Sequence, residues 1–173
     1  MAVDGCTGPH VVIHPLSGFG ICTTPPEARS LNEGLSFIAN ISGTQAAASS
    51  TLSILATNPA TGVHHLVVEC ESKKAGTFTL SESPNATATG SSAITAANLN
   101  RRSSNTNTLT VVGNGTYTSS GTVLETHVIG STSGPNIRTQ EYILKASTKY
   151  LARFVAAGTT TLSVIRCFIQ RES

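Results

Sequence analysis

The chain has 173 residues, of which 39% are hydrophobic and 12% are charged, and its net charge is +2. A chain of this length and hydrophobicity can bury one core, so we expect one domain and not a disordered protein. The net charge is too small to indicate direct binding to nucleic acid. No apolar run approaches the roughly 18 residues of a membrane helix, so we expect no membrane partner.

Hydroxylated side chains dominate the composition, with 21 Ser and 25 Thr. These residues compete with the helical backbone for hydrogen bonds, whereas Thr, Val and Ile suit a pleated sheet. The composition therefore predicts an all-β protein.

Residues 1–30 contain four of the seven Pro and one strand-like run, "HVVIH". We expect an extended N-terminal arm that docks on its own domain or reaches a neighbouring molecule. The arm has neither the basic start nor the continuous apolar run of a signal peptide, so we expect no secretory leader. Residues 31–173 are then a single β-sandwich domain.

From residue 35 onward, strand-like runs alternate with breaks rich in Gly, Asn, Ser and Pro. No convincing helix is available as a crossover between parallel strands. The pattern predicts an antiparallel β-sandwich, jelly-roll-like, with eight or nine strands. The runs are "LSFIANI", "TLSILAT", "VHHLVVECES", "GTFTLSES", "NTLTVVGN", "GTVLETHVI", "TQEYILK", "TKYLARFVA" and "TTTLSVIRCFIQ".

The longest stretch without strand character is residues 85–107, which we interpret as a loop with a possible helical turn at "AITAANL". It contains the one adjacent arginine pair of the sequence, Arg101 and Arg102. A loop of this length is usually either functional or poorly ordered, and both alternatives stay open.

Near the C-terminus, the turns "ASTK" and "AAG" predict a meander of three strands over residues 139–169. Alternation places Tyr150, Ala152 and Phe154 on one face of the middle strand, with Lys149 and Arg153 on the other. The aromatic content of this segment predicts that it contributes heavily to the core.

The four cysteines have no zinc-binding spacing. Cys70 and Cys167 lie in strand-like runs and are expected to be small buried hydrophobes. Cys6 and Cys22 flank a segment rich in Gly and Pro and would pair only in an oxidising compartment.

Catalytic candidates are few, because the chain has a single Asp and no nucleophile elbow or phosphate-binding loop. His65, Glu69 and Glu71 fall on one face of a predicted strand and are the best candidate metal ligands, although a polar solvent-facing strand explains them more simply. We expect no enzyme activity, no cofactor and no metal.

Three segments, "NPATG", "ANLNRRSSNTN" and "EYILKASTKYLARFVAAGTTTLSVIRCFIQRE", resemble a group of small β-rich virion proteins of tailed bacteriophages, similar to capsid decoration (cement) proteins. The likeness covers roughly residues 50–173 and is strongest after residue 137. The matching positions are Asn100, Arg101, Ser103, Glu141, Leu144, Thr148, Tyr150, Leu151 and Arg153.

The resemblance implies a protein made in the host cytoplasm that binds the capsid exterior of the virion and bridges coat subunits. Its partners would be the major capsid protein and copies of itself. Six of the eleven Lys and Arg follow residue 137, against two of the nine acids, which indicates a basic face or merely a solvated one. The expected partner contacts, besides the arm, are Arg101, Arg102, Lys145, Lys149 and Arg153.

Two other functions remain open from the sequence. A tail, fibre or host-surface carbohydrate-binding module is the first alternative, although the chain has no Trp and only three Tyr for stacking on sugars. A metal-dependent enzyme that uses His65, Glu69 and Glu71 is the second.

Overall fold

A computed structural model describes residues 11–13, 20–22, 30–87, 91–130, 136–158 and 161–172. These residues form sixteen strands, and no described helix is long and apolar enough to cross a membrane. The strands are β1 (Val11–Ile13), β2 (Gly20–Cys22), β3 (Ser36–Gln45), β4 (Thr51–Thr57), β5 (His64–Ser72), β6 (Gly76–Glu82), β7 (Asn85–Thr87), β8 (Ser92–Ala93), β9 (Ala97–Asn98), β10 (Thr110–Gly113), β11 (Thr116–Ser119), β12 (Thr122–Ile129), β13 (Asn136–Arg138), β14 (Tyr142–Ile143), β15 (Lys149–Ala156) and β16 (Thr161–Arg171).

Two large antiparallel sheets contain most of these strands. Sheet I has the order β13–β5–β16–β3–β9, and β14 also pairs with β5. Sheet II has the order β12–β6–β15–β4–β10–β8. Two short ribbons complete the pairing, one of β1 with β2 and one of β7 with β11.

The inner faces of the two sheets share one hydrophobic core. Every second residue of each long strand points inward, as the pleat requires. Phe37 and Ile165 of sheet I belong to the same buried cluster as Phe78, Tyr150 and Phe154 of sheet II. The predicted all-β antiparallel sandwich is confirmed, and its jelly-roll-like topology stays a prediction.

Successive long strands change sheet along the chain. β3, β5 and β16 lie in sheet I, whereas β4, β6 and β15 lie in sheet II. The predicted meander over residues 139–169 is therefore wrong. β14 pairs with β5, β15 pairs with β4 and β6, and β16 pairs with β3 and β5, so both turns cross between sheets instead of joining neighbours.

The face alternation predicted for β15 is nevertheless confirmed. Tyr150, Ala152 and Phe154 face the core, and Leu151 belongs to a second buried cluster on the outer face of sheet II. The ribbon of β7 and β11 covers this outer cluster through Ala86 and Tyr117. Both faces of β15 are therefore covered by the chain itself.

The predicted loop over residues 85–107 contains three short strands, β7, β8 and β9, and the helical turn expected at "AITAANL" is wrong. Strand β8 extends sheet II, and β9 extends sheet I beside β3.

Cys70 and Cys167 are free and buried, as predicted, and burial raises the pKa of both thiols to about 12. Residues 1–10, 14–19 and 23–29 of the predicted arm lie outside the described residues. The possible pairing of Cys6 with Cys22 therefore lies outside them too.

Candidate functional site

A pocket of about 190 Å³ lies on the outer face of sheet I. Its floor is formed by Val67 of β5 and Phe168 of β16, which are cross-strand neighbours. Leu31 and Leu99, both about two-fifths exposed, line it from the side. The floor and one side of the pocket are therefore apolar.

Charged and amide groups surround this apolar floor. The guanidinium carbon of Arg138 lies 5.7 Å from the centroid of the Phe168 ring, which is a cation–π geometry. Arg138 also donates from Nη1 to Glu69 Oε1 at 2.8 Å. Glu141 and Gln170 line the same pocket. An aromatic floor with planar polar groups can hold a ligand that has both apolar and hydrogen-bonding parts.

His65 lies at the edge of the pocket between two carboxylates. Its Nδ1 is 2.7 Å from Glu141 Oε1, and its Nε2 is 2.9 Å from Glu172 Oε1. Burial lowers the pKa of His65, but the hydrogen bonds that its ring donates to the carboxylates of Glu172 and Glu141 outweigh this and raise the pKa above 6.5. As an imidazolium, His65 ties the segment before β14 and the C-terminal end of the chain to β5.

The neighbouring His64 has the opposite environment. It is fully buried, and its Nε2 is 2.7 Å from Thr108 Oγ1. Burial and the nearby positive charge of Arg171 lower the pKa of His64 below 6.5. The pKa values of these two adjacent histidines are therefore shifted in opposite directions.

The candidate metal ligands His65, Glu69 and Glu71 do share the outer face of β5, as predicted, but each has another partner. Glu69 pairs with Arg138 at 2.8 Å, and Glu71 pairs with Arg166 at 3.3 Å. Within the described part of the chain, no group of three such side chains is placed to hold a metal ion. The sequence correctly predicted that these three side chains share one face of β5, but it did not indicate that Arg138 and Arg166 pair with the two glutamates.

The five basic residues predicted to contact a partner lie in two different settings. Lys145 donates to Glu82 Oε1 at 2.6 Å, and Lys149 donates to the carbonyl oxygen of Ala86 in β7 at 2.6 Å. Arg153 donates to the Tyr117 hydroxyl at 2.8 Å and lies 5.3 Å from that ring centroid. Lys149 and Arg153 thus bind the chain's own β7–β11 ribbon, and their contact with a partner stays a prediction.

Arg101 and Arg102 are both exposed and form no ion pair with a carboxylate of the described residues. Arg101 makes one long contact, 3.4 Å from Nη1 to the Asn98 carbonyl oxygen. Leu99, which lines the pocket, lies two residues before Arg101. The arginine pair is therefore adjacent in sequence to the pocket wall.

The segment that carries these arginines, residues 98–107, is called the asparagine loop here. Three of its side-chain amides donate to backbone carbonyls of residues 32–34: Asn98 to Gly34 at 2.9 Å, Asn100 to Asn32 at 3.0 Å, and Asn105 to Glu33 at 3.0 Å. Such bonds fix the loop against a turn far away in sequence, so Arg101 and Arg102 project from a defined support.

Close packing at Gly34 adds to this support. Gly34 has a φ of +70°, and a Cβ atom there would lie 2.1 Å from Ser103 Oγ. Only glycine fits this backbone conformation and this contact. The asparagine loop and the turn before β3 therefore form one unit.

One further polar cluster joins the edges of the two sheets. Glu125 of β12 accepts hydrogen bonds from the Tyr142 hydroxyl at 2.8 Å and the Gln140 backbone at 2.9 Å, and its other oxygen is 2.7 Å from His127 Nε2. Burial opposes ionisation of Glu125, but these hydrogen bonds lower its pKa overall. The cluster is structural, and scattered single acids in the sequence gave no signal for it.

Comparison with known proteins identifies no relative. No protein-family model matches the chain, and no curated protein and no solved structure matches it. The functional argument therefore depends on the geometry of the chain itself.

The opposite pKa shifts of the two histidines predict how replacement of His65 changes stability. The folded pKa of His65 is above its unfolded value, so its contribution is present below pH 6.5 and is lost as the pH rises through the folded pKa. His65→Gln should therefore cost on the order of 1 kcal/mol at pH near 6 and less at higher pH. Urea unfolding of both proteins across this range measures the difference.

His64→Gln serves as the contrasting variant for that experiment. The folded pKa of His64 is depressed, so its contribution is present above pH 6.5 and is lost as the pH falls. Its stability difference from the wild type should accordingly shrink at low pH. A loss for His65→Gln that does not change with pH would contradict the assigned imidazolium.

Proposed function

We propose that the protein is a non-enzymatic virion structural protein that binds the outside of a phage capsid and stabilises it by bridging coat subunits. The observation that carries this proposal is the asparagine loop, which presents Arg101 and Arg102 without a described carboxylate partner beside an apolar pocket. A cationic pair on a loop whose backbone is already fixed suits docking on an acidic surface, because little backbone entropy is lost on binding.

The strand order supports the proposal. We propose that the alternation of β13–β5–β16–β3 in one sheet with β12–β6–β15–β4 in the other is a jelly roll, an architecture found in viral capsid proteins and lectins. A rigid sandwich with a few projecting contacts suits attachment to a repetitive lattice, where many weak contacts add up through avidity.

The unequal outer faces of the two sheets also favour docking through sheet I. The β7–β11 ribbon covers the centre of sheet II, where Leu55, Val112 and Leu151 are buried. Sheet I has the pocket on its outer face, and the arginine-bearing loop follows the pocket residue Leu99 in the chain. We therefore place the capsid-facing surface at the pocket and the asparagine loop.

Replacement of both loop arginines tests this surface. The variant Arg101→Ala/Arg102→Ala should bind about tenfold more weakly to heads that lack the protein, since each charge lost to an acidic partner weakens the complex by up to about 1 kcal/mol. Co-sedimentation titrated to saturation, read as copies per coat subunit, measures the change.

Lys73→Ala/Lys74→Ala is a matched control, because it also removes two adjacent exposed charges, in the turn between β5 and β6. It should bind as the wild type does. If both variants weaken capsid binding equally, the loop arginines contribute only through the net charge of the protein and not through a specific contact. Failure of the wild-type protein to saturate intact heads at a fixed ratio would refute the decoration function itself.

A carbohydrate-binding module of a tail, fibre or host surface is a second candidate, favoured by the pocket on sheet I. Phe168 offers an aromatic ring, and Glu141 and Gln170 offer the planar polar groups that sugars bind. The Arg138 guanidinium near the ring would have to move for a sugar to stack there.

A glycan array distinguishes this second candidate from the first. If it is correct, the wild-type protein retains a defined glycan, and Phe168→Ala binds it about fivefold more weakly, since stacking contributes about 1 kcal/mol. Val164→Ala, on the same outward face of β16, is the control and should retain the glycan. No glycan bound by the wild type leaves capsid decoration as the better account.

A further inference from the structure

Strand β12 is the edge strand of sheet II. Its residues Thr122–Ile129 pair antiparallel with β6, with a register shift between Val123 and Glu125. Among the described strands it has no second neighbour, and no backbone hydrogen bond to another described segment occupies its free side. That side presents a row of backbone N–H and C=O groups ready to pair with another strand.

β12 has two of the devices that protect an edge strand, a register shift near one end and the inward-pointing Glu125 and His127, but it lacks the others. Edge strands are also usually short, contain Lys or Pro, or are covered by another element. β12 has eight residues, with neither Lys nor Pro in "TVLETHVI". Its register shift affects one end only, so the pairing is regular from Glu125 to Ile129.

The outward side chains of β12 are uncharged. Thr126 and Val128 lie opposite Thr79 and Thr77 of β6, on the outer face of sheet II. Val128 is 80% exposed and Val123 is 52% exposed. Two exposed valines on one edge strand form an apolar surface of the kind that a binding partner covers.

The charged side chains of β12 do not oppose pairing with a second copy. Glu125 and His127 lie opposite Leu80 and Phe78, on the core-facing side, and they bind each other. When two copies of β12 pair antiparallel with Val128 opposite Val128, His127 of each copy lies opposite Ile129 of the other, so no two like charges lie directly opposite each other. The outward side of β12 is therefore complementary to itself. It has no charged side chain that would select an acidic or a basic partner.

We propose that two copies of this chain associate through antiparallel pairing of their β12 edges about a two-fold axis. The two six-stranded sheets then form one continuous twelve-stranded sheet. An interface of one strand pair with a few side chains is small, so the free dimer is weak, with a dissociation constant on the order of 10–100 µM. On a repetitive lattice such pairing links neighbouring copies, which deepens the proposed function but does not depend on it.

Sedimentation equilibrium of the full chain, with no capsid present, tests the proposal. Across about 5 µM to 1 mM, the average mass should rise from that of the monomer towards that of the dimer. Val128→Lys should weaken association at least tenfold, because the two-fold axis brings two like charges close together on adjacent strands. This site is exposed, so the variant should fold, which its thermal unfolding verifies.

Val63→Lys is the matched control. Val63 is also exposed, at 41%, but it precedes β5 in sheet I. The Val63→Lys variant should associate as the wild type does.

Amide hydrogen exchange gives a second measurement, because exchange in β12 should slow as the protein concentration rises. A wild-type protein that stays monomeric across the concentration range would overturn the proposal. Equal loss of association in both variants, or concentration-dependent protection elsewhere than β12, would overturn it too. Because no heads are used, these outcomes are independent of capsid binding.

Discussion

The burial of both faces of β15 is the constraint on which the rest of the structure depends. Its inward residues Tyr150, Ala152 and Phe154 lie in the core between the sheets, and Leu151 packs outward with Leu55 under the β7–β11 ribbon. Since the outer face of a sheet usually meets water, an apolar residue there needs a cover. The chain supplies that cover from β7, which lies in the stretch interpreted as a loop, and from β11, which follows that stretch.

That cover decides which surfaces remain available to partners. Lys149 and Arg153 are used to hold the ribbon in place, through the Ala86 carbonyl and the Tyr117 ring. The outer face of sheet I keeps its apolar pocket, and its remaining charges are paired across strands. Arg101 and Arg102 differ from these paired charges because they form no ion pair with a described carboxylate. They project from a loop that asparagine amides fix to the turn before β3. Because only 12% of the residues are charged, two adjacent arginines give this part of the surface a locally positive charge.

Much of the fold was predictable from the sequence because strand formation depends on local alternation. The run "TLSILAT" coincides with β4, and the core-facing residues Tyr150, Ala152 and Phe154 of β15 were assigned correctly. The connection between strands was not predictable in the same way, since a short turn such as "ASTK" can join neighbours in one sheet or cross to the other. Only the packing of both faces decides between these possibilities.

The candidate site was predictable only in part. Arg101 and Arg102 were singled out because they are adjacent in a long loop, but the pocket beside them draws residues from positions 31 to 170. The amides that fix the loop act across large sequence separations, as between Asn105 and Glu33, 72 residues apart. No local pattern encodes such a contact, so Phe168 and Arg138 also had no sequence signal as pocket residues.

We propose that the protein docks on the capsid through the pocket and the asparagine loop of sheet I. Hydrogen–deuterium exchange of the protein, free and bound to heads that lack it, tests this most directly. The account predicts slower exchange on binding in residues 98–107 and 138–142, with no change in the β7–β11 ribbon. Protection confined to that ribbon, with the asparagine loop unaffected, would contradict it.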